Sequence, residues 1–299
     1  MIIDFHTHIF PDKIAAKTIE SLGNLAGVKA AAEGTLNGLL DSMEKSKVDM
    51  SVIMPVCTKP EQFDSVNKFA KKVNDTYQGK LLSFGGIHPD CENYKEKLNY
   101  IKALGLPGIK LHPDYQKVMI DDVRFMRIIE YASELGLIIL THAGVDIGLP
   151  QPVHCPPDKM RKVLDSIKPE KMVLAHFGGW KQWEEVYEYL AGENVYLDTA
   201  FLFGIKTNCF QNEKEMTKID GDTKVRCGSE EKDAQYINYI KWDMFLKILE
   251  KHGSDKILFA TDSPWSDAAK GIEYVKNLTI GEDEKIQILG KNAEKLLKG

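Results

Sequence analysis

Met1-Ile2-Ile3-Asp4-Phe5-His6-Thr7-His8 opens the chain and decides how the rest is read. Ile2, Ile3 and Phe5 form a short apolar strand that ends in two histidines spaced i, i+2. Residues two apart on a strand project to one face, so His6 and His8 present both imidazoles on the same side, a natural pair of ligands for a divalent metal. A lone His-x-His arises by chance, and the plain alternative is two polar residues closing an N-terminal strand. Ligation is favoured because later apolar runs also end in metal-ligating residue types.

Outward from this stretch the chain alternates. Apolar runs over 50–56, 81–87, 108–112, 137–140, 172–175, 195–198 and 257–260 read as strands. Helical spacing falls between them over 13–22, 36–45 (with Thr35 as the cap), 62–77, 94–103, 122–134, 159–166 and 183–191, and again over 283–297. The stretch 23–34 is rich in small residues and reads as irregular. Eight short strands, apolar on both faces and alternating with helices, predict a parallel sheet closed as a (β/α)8 barrel. Residues 1–299 read as a single domain. The long connection between the seventh and eighth strands is charged and aperiodic over 211–233, which predicts a rim insertion over 201–240 with helix resuming near 235.

A net charge of −5 and a pI near 5.9 give no basic footprint, so nucleic acid is not an expected partner. No apolar run approaches the roughly 20 residues needed to span a bilayer, and the N-terminus lacks the basic start and apolar stretch of a signal peptide. Cys57, Cys91, Cys155, Cys209 and Cys227 are odd in number, widely spaced and free of Cys-x-x-Cys pairs. Reduced thiols in a cytoplasm fit this better than disulfides or a zinc ribbon.

Catalytic residues of such barrels sit where strands end. The residues there are His6, His8, His88, Lys110, His112, His142, His176, Asp198 and Asp262. Six of the eight histidines (His6, His8, His88, His112, His142 and His176) fall at these ends. Gathering imidazoles and an aspartate in a poorly solvated mouth is costly, because an unpaired buried charge costs several kcal/mol. A divalent cation removes the penalty. Neutral imidazole with carboxylate suits Zn2+, with Mn2+ and Fe2+ as alternatives, and three or four protein ligands leave a position open for chemistry.

Taken as an ordered set, His6-Thr7-His8, His142, His176 and Asp262 resemble the pattern of the amidohydrolase superfamily. The phrases Gly108-Ile109-Lys110-Leu111-His112-Pro113, Ala175-His176-Phe177-Gly178-Gly179, Phe259-Ala260-Thr261-Asp262-Ser263-Pro264 and Gly290-Lys291-Asn292-Ala293 are similar to its amidohydrolase-related branch. That branch includes aminocarboxymuconate-semialdehyde decarboxylase-like and resorcylate decarboxylase-like enzymes. The resemblance covers essentially the whole chain. It implies one divalent metal on His6, His8, His142 and Asp262, with His176 beside it as a further ligand or a hydrogen-bonding partner. It also implies a metal-lowered water pKa, Asp262 taking the water's proton, and His176 bonding the nucleophile or a developing oxyanion. In binuclear members a lysine at the place of Lys110 is carbamylated and bridges two metals. The mononuclear branch does not need that bridge, so Lys110 is expected as an ordinary ammonium facing a substrate carboxylate or a nearby acid.

His88, His112 and Trp265 are candidates for substrate contact, against plainer readings as rim or wall residues. Asp4 is expected to pair structurally. His252, at a helix end before Gly253, is expected to be structural, and His154-Cys155 reads as loop rather than catalyst. The resulting expectation is a metal-dependent hydrolase of a small carbonyl- or carboxylate-bearing substrate, with non-oxidative decarboxylation on the same site as the alternative. A TatD-like nuclease shares the barrel and the His-x-His start but not the acidic balance. A non-catalytic binding barrel would not need every ligand type. A homo-oligomer is compatible with the insertion serving as a subunit contact.

Overall fold

The computed structural model describes residues 1–149, 151–207, 236–237 and 239–299. Its first strand, Ile3–Thr7, is buried at every position and pairs in parallel with Met50–Ile53, which in turn pairs with Leu81–Ser83. Phe84 carries the third strand across a break, its N–H donating to Ile53 O at 3.0 Å. The chain resumes as Gly85–Gly86 against Gly108–Leu111. Parallel pairing then continues through Ile138–Thr141, Met172–Leu174, Tyr196–Asp198 and Ile257–Leu258.

The last strand returns to the first. Phe5 N–H donates to Phe259 O at 2.9 Å, and Asp262 N–H donates to His6 O at 2.8 Å. Thr7 and Ser263 form a parallel bridge above them. The eight-strand (β/α)8 architecture expected from the alternation is therefore the architecture of the chain. Phe5, Val52, Phe84, Leu140, Val173 and Leu258 belong to one core cluster, and a larger cluster joins the strands to the surrounding helices. Each large side chain buried this way contributes about 1.5–3 kcal/mol. No helix among the described residues is long and apolar enough to cross a membrane.

The structure departs from the sequence reading at several places. The first helix runs Asp12–Ala26, four residues past its expected end. Gly23 lies inside it because a Cβ there would stand 2.8 Å from Val28 O, and Gly27, at φ 68°, makes the left-handed cap. Val28–Lys29, inside the stretch read as irregular, pairs antiparallel with Ile205–Thr207, which pairs with Tyr236–Ile237. A helix over Ala268–Lys276, capped by Asp267, was not foreseen. The terminal helix is three pieces, Glu282–Ile286, a π-turn over Gln287–Lys291 and Asn292–Lys298. Most of the rim insertion expected over 201–240 lies outside the described residues, but the helix expected to resume near 235 begins later, since Tyr236–Ile237 is strand. Helix is seen at Trp242–His252.

Candidate metal centre

His6 and His8 leave the first strand on one face, and Asp262 follows the last strand beside them. His6 Nε2 and His8 Nε2 are 3.1 Å apart. Asp262 Oδ1 is 3.0 Å from His8 Nε2 and 3.6 Å from His6 Nε2. Ligand atoms about 2.1 Å from one ion stand roughly 3.0–3.6 Å from each other, so this triangle has the spacing of three ligands sharing an ion. Asp262 takes φ 62°, a left-handed conformation that non-glycine residues adopt at a cost of order 1–3 kcal/mol. The turn is held by Asp262 N–H on His6 O and by Trp265 N–H on Asp262 O at 3.0 Å.

Asp198, ending the seventh strand, sets the direction of His6. Its Oδ2 lies 2.9 Å from His6 Nδ1, and its Oδ1 accepts from the N–H groups of His176 at 2.8 Å and Ala200 at 3.0 Å. A carboxylate accepts, so His6 Nδ1 carries the proton and Nε2 turns its lone pair to the centre. Lys110 Nζ stands 3.0 Å from that same Nε2. Burial pushes the Lys110 amine down to about 8. Burial also holds His6, His112, His142 and His176 below the ordinary imidazole range, so these rings are neutral ligands and hydrogen-bonding groups. Burial pushes Asp262 up, but the hydrogen bond with His8 and the facing imidazoles outweigh it and hold the carboxyl well below its usual range.

His142, implied as a fourth ligand by the resemblance, does not join this triangle. Its Nδ1 is 3.0 Å from His176 Nε2, whose other nitrogen, Nδ1, donates to Ala200 O at 2.9 Å. A carbonyl only accepts, so neutral His176 accepts at Nε2 and His142 donates at Nδ1. His142 Nε2 then faces Asp114 Oδ2 at 3.7 Å, and neither atom has a hydrogen-bond partner. His112, His142 and Asp146 also lie within metal-ligand spacing. They do not converge on one ion. The rings of His112 and His142 stack with planes 10° apart and centroids 4.3 Å apart, so their in-plane lone pairs run side by side. His112 Nδ1 accepts from Tyr115 N–H at 3.4 Å, which places its proton on Nε2, 3.5 Å from Asp146 Oδ2. His112 is thus a hydrogen-bonded wall residue.

These groups floor a cavity of about 700 Å3 that includes His6, His8, Lys110, His112, His142, His176, Asp262 and Trp265 among its lining. His88 is not in that lining; its Nδ1 accepts from Asp90 N–H at 3.2 Å and caps the turn after the third strand. Asp4 accepts from Thr261 N–H and Oγ1 at 2.9 and 2.6 Å, bracing the segment before Asp262. His252 bonds Gly192 N–H and Val195 O, at 3.1 and 3.0 Å. The sequence reading gave no role to Asp114, Asp146 or Asp198. Asp114 Oδ1 receives both the N–H and the ring Nδ1 of His154, at 3.1 and 3.0 Å, so the proline-rich loop is tied to the wall behind His142. Only Asp198 carried a signal, its place at the end of a strand.

The sequence matches the amidohydrolase family model over residues 3–299. Among curated proteins none matches it. Solved structures similar to the fold include 5-carboxyvanillate decarboxylase from Sphingomonas paucimobilis, with TM-score 0.64 and 14% identity over 99% of this chain and 98% of that one. A 2,6-dihydroxybenzoate decarboxylase from Rhizobium has TM-score 0.63 and 12% identity over 99% and 98%. A dihydroxybenzoic acid decarboxylase from Polaromonas sp. JS666, with bound manganese and the inhibitor 2-nitroresorcinol, has TM-score 0.63 and 13% identity over 99% and 96%. At these identities the likeness is one of fold.

Proposed function

The chain belongs to the amidohydrolase family, and on that footing we propose that it is a metal-dependent decarboxylase, releasing CO2 from a small organic acid without an oxidant. The observation that carries the reading is the convergence of His6 Nε2, His8 Nε2 and Asp262 Oδ1 beside the buried amine of Lys110. A divalent ion held by His6, His8 and Asp262, zinc or in its place manganese or iron(II), supplies a Lewis acid for an anionic oxygen of the substrate. The names of the three similar structures favour decarboxylation over the hydrolysis that the sequence ranks first.

The chain's own residues bind, orient and dry the site. Lys110 Nζ offers a cation to the substrate's anionic group, and Asp198 keeps His6 facing inward. The reaction breaks the bond between the carboxylate and its carbon. The electron pair stays on that carbon, CO2 departs, and one proton takes its place. His142 and His176 hold a proton between them at His142 Nδ1, within the same wall. Trp180 and Phe201, 3% and 6% exposed, exclude water from that side, and a poorly hydrated carboxylate gives up its charge more readily as CO2.

Metal-loaded protein assayed over a panel of aromatic and unsaturated acids is expected to release one CO2 per acid consumed. In D2O the vacated carbon should carry deuterium. Cleavage of lactones, esters or amides with no CO2 from any acid would overturn the proposal in favour of hydrolysis.

A further inference from the structure

The cavity is much larger and more apolar than its floor. Its charged lining is Lys110, Asp146 and Asp262, of which Lys110 and Asp262 stand with the histidines of the centre and Asp146 faces His112 at 3.5 Å, and no arginine lines it among the described residues. Above the floor, the helices Asp12–Ala26 and Phe63–Thr76 supply Ile14, Leu22, Leu25, Val66 and Phe69. Three of these are left open to solvent, Ile14 at 51%, Leu25 at 60% and Phe69 at 40% exposure. Part of the polar capacity on this wall is already used. Gln62 Oε1 accepts from Thr58 N–H, Thr58 Oγ1 and Lys59 N–H, and Ser65 Oγ donates to Gln62 O. What touches this wall meets mostly hydrocarbon. A volume near 700 Å3 equals that of roughly two dozen waters at about 30 Å3 each, about twice the atom count of a hydroxylated benzoate.

We propose that the wall formed by Ile14, Leu22, Leu25, Val66 and Phe69 is a subsite for the hydrocarbon body of the substrate, which is a singly charged amphiphilic acid. Its anionic head lies at Lys110 and the centre, and its alkyl or aryl extension runs between the two helices. The inference deepens the decarboxylase reading and rests on it for where the head binds. Contiguous exposed apolar surface marks a binding face. Continuity with the floor, a lining with only three charged residues and the volume together select a small amphiphile as its occupant.

The test uses zinc-loaded protein and straight-chain carboxylates, from butanoate through hexanoate to octanoate, with affinity read by calorimetry. Full burial of a methylene is worth about fourfold in affinity, so octanoate should bind at least tenfold tighter than butanoate. Leu25→Asp combined with Phe69→Asp should flatten that ladder to less than threefold, and Leu25→Ser alone should lower it partway. Both positions are exposed, and thermal melts confirm that the variants fold. A flat ladder in the unaltered protein, or an unchanged ladder in the double variant, overturns the subsite. So does a double variant that only changes the sedimentation of the protein, since the face is then a contact between copies. The two readings fail separately. A steep ladder with no CO2 from any acid removes decarboxylation and keeps the subsite, whereas CO2 release with a flat ladder does the reverse.

Discussion

Replacing Asp198 by asparagine tests the logic of the centre most directly, because the two side chains have the same shape. Asp198 is fully buried and receives three hydrogen bonds, from His6 Nδ1 at 2.9 Å and from the N–H groups of His176 and Ala200 at 2.8 and 3.0 Å. An amide has one oxygen and one NH2. With its oxygen on the two backbone donors, the NH2 meets the Nδ1–H of His6, donor against donor. The reverse orientation sets the NH2 against both backbone donors, a larger loss, since each unsatisfied buried group costs about 1–3 kcal/mol. The first orientation is therefore preferred, and His6 must move its proton to Nε2. That nitrogen then has no lone pair for an ion. Loss of such an orienting carboxylate typically weakens metal binding by about 10–100-fold, or about 1.4–2.7 kcal/mol. Zinc affinity is read by competition with a chromophoric chelator, alongside a thermal melt and nitrogen-15 spectra that report the His6 tautomer. Asparagine at 198 with unchanged zinc affinity and an unchanged tautomer would refute the reasoning.

Further outcomes are expected. His8→Ala should leave a cooperatively folding protein that no longer retains stoichiometric zinc by elemental analysis; full retention would remove His8 from the ligand set. Lys110→Met should keep the metal but lower butanoate affinity at least tenfold, by calorimetry. Asp114→Ala should cost about 1–3 kcal/mol in urea unfolding because it strips both bonds from His154, while Asp114→Asn, which keeps the accepting oxygen, should cost clearly less. Burial lowers the His252 imidazole from 6.5 to about 4. Between those values only the unfolded chain takes the proton, so stability is intact above about pH 6.5 and falls as pH drops toward 4, by at most about 3 kcal/mol. His252→Gln should flatten that slope in urea melts at pH 7 and 4.5.

The barrel was legible because its signals are local. Each strand carries its own apolar run, and all of the runs but the second end within two residues of a candidate site residue, as Ile3–Thr7 does at His6 and His8. The centre was only half legible for the opposite reason. Asp198 meets His6 across 192 positions, and Asp114 meets His154 across 40. No spacing rule connects such residues, since the turn that brings them together is tertiary. Gly23 misled because glycine commonly ends a helix, whereas here close approach to Val28 O requires it inside one. The two-residue strands at Val28–Lys29 and Tyr236–Ile237 are too short for any period, and only their partner at Ile205–Thr207 makes them strands.

A barrel of eight staves has one joint where its first and last meet, and here the ligand triangle straddles it. His6 and His8 stand on one stave and Asp262 on the other, so an ion seated among them would act as a rivet across the whole circumference of the fold. Its loss would loosen the wall at that joint first, and metal starvation would show as shortened lifetime of the protein as well as idle catalyst.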